Sequence, residues 1–325
     1  MALVTVLGAS GFVGAAVTRA LARQPIRLRA VARRPFTPAR GLAETTVVTA
    51  DLTDRAALAD AVAGSDAVVY LLLAEGGWRA AETPGAERVN VGVMRDLVDV
   101  LGAHGGTPPV VVYCGTVSQV GLPPREPIDG SEPDDPVTPY DRQKLVAEQV
   151  LKAATADGRV RGISLRVSTV FGEAAAGSVS HDRGVVTAMA RRALAGEPLT
   201  IWGDGTVRRD LVHVADIASA VTAALATPDP LVGGHWLLGA DRSCELGEIF
   251  GLVAREMSDH TGRPPVAVTC VPPPPHAAAT DSRSITIDSG AFREITGWRP
   301  EIPLSEGIRR TVAALTTPIH GGVRT

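Results

Sequence analysis

Lysine is almost missing from this chain: of 32 basic side chains only two are lysines, Lys144 and Lys152. Aromatic residues make up only 4% of the 325 residues, so packing must rest on Ala, Val and Leu. The three cysteines, Cys114, Cys244 and Cys270, are far apart and odd in number. That argues against a disulfide framework and suits a reducing cytosol. The seven histidines show no metal-ligand spacing, so no metal is expected. No apolar run approaches the roughly 20 residues of a membrane span. The opening stretch, MALVTVLGASGF, lacks the basic region and cleavage site of a signal peptide, and a cytoplasmic location is expected. Neither sign of charge is in large excess. A net charge of −3 gives no footprint for nucleic acid or for a membrane surface. The preference for Arg over Lys, with abundant Ala, Gly and Pro, suggests a GC-rich bacterial genome.

Short apolar runs alternate with helix-like stretches through the first half. The runs are Leu3–Leu7, Arg27–Ala32, Thr46–Thr49, Ala67–Leu73, Val110–Tyr113 and Gly162–Arg166. Continuous β-branched runs of this length predict buried parallel strands joined by helical crossovers, hence a doubly wound α/β sheet. After Phe171 the rhythm changes. A loop at Gly172–Ser180 precedes a helix near Val185–Ala195, a strand Leu199–Trp202 and a turn Gly203–Gly205. A strand at Val207–Val214 and a helix at Asp216–Ala226 follow. The VPPPP run, Val271–Pro275, suits neither a helix interior nor a central strand; it reads as an ordered loop, with a proline ligand for a partner as the alternative. The second half therefore reads as a smaller α/β lobe threaded back onto the first. Residues 1–171 form the first domain, with 207–239 returning to it; residues 172–206 and 240–325 form the lobe.

The stretch GASGFVG, Gly8 to Gly14, directly follows the first run and opens a helix expected at Ala15–Ala22. Glycines at 8, 11 and 14 permit a tight turn and let a pyrophosphate approach the backbone. The helix start around Phe12 then offers free N–H groups and a positive dipole end. This predicts a dinucleotide site. The second run ends in VARR, and Arg33 lies 19 residues after Gly14, about where an acid would bind an adenosine ribose. An acid repels a 2′-phosphate, whereas the guanidinium groups of Arg33 and Arg34 pair with one. NADP(H) is the cofactor expected. Arg33 and Arg34 as ordinary solvated arginines remain the alternative. Asp51-Leu52, ending the third run, reads as an edge of the adenine pocket, or Asp51 as a helix cap.

TPYDRQK, Thr138 to Lys144, places one of the two lysines four residues after one of the three tyrosines. By chance such a pair arises in about 2% of chains of this composition, so the motif is specific. Thr138 is a good N-cap, Pro139 suits the first helical position and Asp141 the third; the helix should reach Asp157 and stop at Gly158. Tyr140 and Lys144 then share one face. A tyrosine of ordinary pKa, about 10, is a poor proton relay near neutrality. An ammonium one turn away, with an oxidised nicotinamide, is expected to lower it. A third member should bond the reacting oxygen. Thr116, at the C-terminal edge of the Val110 strand, and Ser118 are the two candidate hydroxyls.

From GASGFVG through TPYDRQK to the tail ITGWRPEIPLSEGI (Ile295–Ile308), the sequence resembles the extended short-chain dehydrogenases/reductases of the NAD-dependent epimerase/dehydratase type. The resemblance implies a Rossmann fold, nucleotide-sugar substrates and a catalytic set of Thr116, Tyr140 and Lys144. Thr116 stands five residues before Gly121, although the turn here is Gln119-Val120-Gly121 rather than V-Y-G-like. Asn90 resembles the asparagine supporting the cofactor side. Leu71, in Tyr70-Leu71-Leu72-Leu73-Ala74, stands where the family has small residues after the fourth strand, and Thr169 where asparagine is common. The stretch from Gly196 to Ala218 resembles the nucleotide-sugar segment, with Arg209 gripping the pyrophosphate; Ser118 and Thr169 complete the implied substrate side. His213 reads as structural. Sugar 4,6-dehydratases of this family carry an Asp-Glu pair after the Thr; here those positions are Val117 and Ser118. The resemblance therefore implies a ketoreductase acting on a dTDP-4-keto-6-deoxyhexose, as a homodimer through helices near Asn90–Ala103 and Tyr140–Ala156. An NAD-dependent sugar epimerase and a non-enzymatic NADP-sensing regulator are the alternatives.

Overall fold

The apolar runs become strands because a parallel sheet covered on both faces needs no polar side. The computed structural model describes residues 1–316 apart from 104, 124, 175–183, 275–276 and 278. Its strands in chain order are β1 (Leu3–Leu7), β2 (Arg27–Ala32), β3 (Glu44–Thr49), β4 (Ala67–Tyr70), β5 (Val110–Thr116) and β6 (Arg161–Val167). The later ones are β7 (Thr169–Phe171), β8 (Leu199–Trp202), β9 (Arg208–His213), β10 (His235–Leu238), β11 (Ser243–Glu245) and β12 (Val268–Val271). The helices are α1 (Phe12–Leu21), α2 (Arg55–Val62), α3 (Pro84–Glu87), α4 (Val93–Gly102) and α5 (Pro139–Ala156). They continue with α6 (Val185–Leu194), α7 (Val214–Ala226), α8 (Leu246–Thr261), α9 (Gly290–Thr296) and α10 (Leu304–Thr316).

Seven strands form one sheet in the order β10-β6-β5-β4-β1-β2-β3, with every neighbouring pair parallel. This is the doubly wound sheet the sequence predicts. Side chains alternate across it: Val110, Val112 and Cys114 join a core with α1 and α7. Val111 and Tyr113 point into the opposite core, with α2, α4 and α5. β3 is the outer edge, and its ETTVVT sequence keeps that edge polar. The chain leaves β1 towards β2 on one side and later towards β4 on the other. Between the ends of β1 and β4 lies the crevice where open α/β sheets bind ligands.

A three-stranded sheet (β11-β9-β7) and the β12-β8 pair lie outside the large sheet, over a third apolar cluster with α6, α8 and α10. The tail motif anchors on α7. The Trp298 indole N–H donates to Asp216 O (3.1 Å) and Ser219 Oγ (2.9 Å), and the Asp216 carboxylate accepts from the N–H groups of Glu301 and Ile302.

Boundaries differ from the sequence expectation where polar residues keep the ladder going. β5 runs on to Thr116, because Cys114, Gly115 and Thr116 still pair with Leu165, Arg166 and Val167. β3 starts two residues earlier than the apolar run, at Glu44. α1 begins at Phe12, inside the glycine motif. The β9 strand is Arg208–His213, and His213 Nδ1 caps α7 by accepting from Ala215 N. Part of the Gly172–Ser180 loop and Pro275 lie outside the described residues.

Candidate active site

The glycine turn sits at the C-terminal end of β1, and steric contact explains its spacing. Gly8 has φ +86°, and a Cβ on Gly14 would lie 1.9 Å from the Gly8 carbonyl oxygen. A side chain at either position would push the helix off the turn. Gly8 and Ala9 donate their N–H groups to Val31 O on β2, which fixes the turn across the sheet. No side chain caps α1, and its ladder opens with Ala15 N–H to Gly11 O (2.8 Å). The N–H groups of Phe12, Val13 and Gly14 precede that ladder, at the positive end of the helix. A bare backbone cradle of this kind fits the pyrophosphate of a dinucleotide. Leu71 lies across it: its N–H bonds Leu7 O, and its carbonyl oxygen is 3.0 Å from where a Gly8 Cβ would be.

Arg33 and Arg34 do stand beside this turn, but not alone. Arg33 Nη2 is 2.6 Å from a carboxylate oxygen of Glu75, and Arg34 Nη2 is 4.0 Å from the other. Sequence reasoning missed Glu75, because the acid comes from the loop after β4 and not from the end of β2. Asp51 accepts from the N–H and hydroxyl of Thr53, and these bonds hold its carboxyl below the usual range. The cap of α2 is Asp54, which accepts from Ala56 N, so Asp51 is a turn residue rather than that cap. Leu52 is buried with the α2 core.

At the other end of the crevice, α5 is capped as its sequence predicts, by the reciprocal Thr138–Asp141 box. Lys144 is only 7% exposed. Its Nζ donates to Cys114 O (2.7 Å) and lies 4.7 Å over the Tyr113 ring. Burial pulls its pKa down to about 8, against the Cys114 thiol and the Glu148 carboxylate, which favour the charged form. Tyr140, half-buried at the start of α5, is raised above its ordinary value by burial first and then by Asp141 and Cys114. This corrects the expected lowering: in the protein alone Lys144 faces a backbone carbonyl, and Tyr140 is held as a phenol.

Thr116 ends β5 and accepts from Ser118 N at 3.3 Å. The Thr116 and Ser118 hydroxyl oxygens are 2.8 Å apart, and Ser118 Oγ donates to Asp141 Oδ1 at 2.5 Å. A carboxylate only accepts, so the Ser118 proton is committed to Asp141. Thr116 must then be the donor to Ser118. The relay runs Thr116 to Ser118 to Asp141, and Thr116 has to turn its proton before it can bond a ligand. Asp141, read from sequence as a capping acid, is 3% exposed and links cap, relay and Tyr140.

Asn90, within a π-helical turn (Arg88–Gly92), accepts from Ala74 N (2.9 Å) and donates to Gln143 (2.8 Å), which in turn donates to Ala81 O (2.8 Å). It ties the loop after β4 to α5. Beneath Lys144, Glu148 and the fully buried Arg166 are bonded at 2.7 and 3.0 Å. Lys152, Ser164 and Gln119 also donate to Glu148, and Gln119 Oε1 accepts from Thr116 N. Burial works against the charge on Glu148, yet Arg166, Lys152 and Ser164 hold its pKa at about 2. Lys152 is the lysine that forms the ion pair with Glu148.

The substrate-side candidates are less clearly gathered. Thr169 is on β7, paired with Leu211 of β9. Arg209 is engaged by backbone: its guanidinium donates to Arg208 O, Arg283 O and Asp281 O at 3.0, 2.5 and 2.7 Å. To grip a pyrophosphate it would have to release the 281–283 segment. His213 is buried between Phe171 and Glu173, 2.9 Å from the Glu173 carboxylate, in keeping with a structural part.

Strand order and glycine turn define a Rossmann-type α/β protein. A family model described as NAD dependent epimerase/dehydratase family matches residues 4–239, and the chain belongs to that family. It is 29% identical over 330 residues to a dTDP-6-deoxy-L-talose 4-dehydrogenase (NAD(P)(+)) of Kitasatospora kifunensis, covering 97% of this chain and 96% of that protein. It is 31% identical over 215 residues to a UDP-glucose 4-epimerase of Azospirillum brasilense. That second alignment takes in 62% of this chain and spans only 59% of the relative's length. In fold it is similar to a UDP-glucose 4-epimerase of Brucella ovis in complex with NAD, with a TM-score of 0.82 at 23% identity over 96% of this chain and 98% of that one.

Proposed function

We propose that the protein is an NADPH-dependent ketoreductase acting on the 4-keto group of a dTDP-4-keto-6-deoxyhexose, as in antibiotic deoxysugar biosynthesis. The observation that carries this is the pair of residues after Thr116. Val117 is apolar, and Ser118 has its proton committed to Asp141. Neither can withdraw a ring proton or expel a neighbouring hydroxyl, as an elimination would require. The Kitasatospora relative, by its name, works at C4 of a dTDP-6-deoxy sugar, and the similarity runs along 97% of this chain.

Phe12, Val13 and Gly14 would hold the pyrophosphate through their N–H groups, with Arg33 and Arg34 at the adenosine end. When bound, the dinucleotide supplies the hydride. Tyr140, kept as a phenol by burial, donates the proton to the ketone oxygen. Thr116 turns its hydroxyl from Ser118 and orients that oxygen. Lys144 raises the positive potential at Tyr140 and favours the phenolate left after proton transfer. Asn90 holds the cofactor-side loop, Ser118 and Thr169 lie on the nucleotide-sugar side, and Arg209 reaches the pyrophosphate on releasing the carbonyls of Asp281 and Arg283. The enzyme works as a homodimer through α4 and α5.

A second reading, an NAD-dependent nucleotide-sugar 4-epimerase, is favoured by Glu75 beside Arg33, since a carboxylate there opposes a 2′-phosphate. One experiment separates the two. With 4-deuterated NADPH and dTDP-4-keto-6-deoxyglucose, the ketoreductase consumes one NADPH per sugar and leaves deuterium at the former keto carbon. No NADPH consumption on this ketone, together with inversion at C4 of a 4-hydroxy nucleotide sugar without added NADPH, rejects the reduction in favour of the epimerase.

A further inference from the structure

We propose that Glu75 is a specificity-determining residue that competes with the cofactor's ribose 2′-phosphate for Arg33, and so sets the balance between phosphorylated and unphosphorylated dinucleotides. The proposal rests on the reading of the Gly8–Gly14 turn as a dinucleotide site.

Arg33 follows β2, and Glu75 belongs to the loop after β4. These strands flank β1 on its two sides, so their ends are roughly 10 Å apart, two strand spacings. The ion pair therefore spans the C-terminal end of β1, over the glycine turn where a dinucleotide would lie. The root of Glu75 is fixed: Ala74 N–H bonds the buried Asn90 side chain, and the turn closes with Gly77 N–H to Ala74 O. The carboxylate is thus presented to Arg33 by a held backbone.

A carboxylate and a phosphate suit the same guanidinium fork. Both side chains are more than half exposed, at 56% for Arg33 and 65% for Glu75. An exposed pair is worth at most about 1 kcal/mol, weak enough for a doubly charged phosphate to displace it. The displaced carboxylate would then stand beside that phosphate and repel it. With an unphosphorylated ribose the same carboxylate stays on Arg33 and can accept the 2′-hydroxyl proton. One acid therefore penalises NADPH and favours NADH. It supplies, from the loop after β4, the charge that the end of β2 lacks; Asp51, after β3, is the other carboxylate that feels the Arg33 charge.

Dissociation constants for NADPH, NADH and 2′,5′-ADP, measured by fluorescence titration or calorimetry, test this without any substrate. Glu75→Gln keeps the size and removes the charge at an exposed site. NADPH and 2′,5′-ADP should bind about fivefold tighter, the equivalent of about 1 kcal/mol, while NADH changes by less than about twofold. In an Arg33→Ala background the gain should vanish. An unchanged NADPH-to-NADH ratio in Glu75→Gln overturns the proposal, and so does an equal gain without Arg33. The wild-type ratio tests the cofactor reading separately. A wild type preferring NADH removes the NADPH assignment, yet the response of the ratio to Glu75→Gln still decides the part played by Glu75.

Discussion

Lys144 carries its charge inside the protein, and that has a cost at neutral pH. Its pKa is depressed to about 8 from an ordinary 10.5. A depressed value means that stability is gained above the ordinary pKa and lost as pH falls through the folded one, so at pH 7 the full penalty applies. Lys144→Met should therefore lose turnover yet melt no earlier than wild type at pH 7 in a thermal scan; early melting would mean the bond to Cys114 O outweighs desolvation. At Tyr140 the neighbouring charge has the opposite sign. Burial raises the phenol first, and the Asp141 carboxylate and Cys114 add to it, while Tyr113, under the Lys144 ammonium, is coupled to Tyr140 from β5. Asp141→Asn keeps a cap acceptor for Thr138 but removes the charge. The alkaline limb of kcat/KM should move to lower pH, whereas Thr138→Ala, which weakens only the cap, leaves the limb in place. Tyr140→Phe should cost about 10² to 10⁴ in rate with cofactor binding intact.

Among the elements, α5 and β6 share the buried Glu148–Arg166 pair, which no exposed charge could replace. Arg166→Met leaves Glu148 with Lys152, Ser164 and Gln119, so in urea titrations it should destabilise by less than the roughly 3–5 kcal/mol expected when a buried charge loses every partner. The same pair makes acid unfolding predictable. Glu148, at about 2 when folded against an ordinary 4.5, contributes stability above pH 4.5 that disappears towards pH 2. Asp210 behaves oppositely. Burial lifts it to about 6 from 3.8, so its contribution is full below 3.8 and lost as pH rises through 6. From these two groups the melting temperature should peak between about pH 3.8 and 4.5, and Asp210→Asn should flatten the decline from there to pH 6. Neither group was legible in the sequence, because Glu148 and Arg166 look like solvated charges until β6 is placed beside α5. The strands and the capped helix were legible, since apolar runs, glycine spacing and the Thr-Pro-x-Asp start act locally. Glu75 and the Thr116–Ser118–Asp141 relay were not. They join residues from different elements, 42 positions apart for Arg33 and Glu75 and 23 for Ser118 and Asp141.

Over the whole molecule, the substitution of arginine for lysine has made the surface almost free of primary amines. Lys144 is enclosed, and Lys152 is one-third exposed and tied to Glu148 and His235. Beyond the chain's own α-amino group, an acylating reagent such as an N-hydroxysuccinimide ester meets only Lys152 in the native state. Intact-mass spectra should show at most two acyl groups on the folded protein and a third after denaturation. A third group on the folded protein would mean that Lys144 is reachable. Apart from the α-amino group, amine-directed dyes, tethers and crosslinkers would therefore attach at one place, the rear of α5, two turns from Lys144.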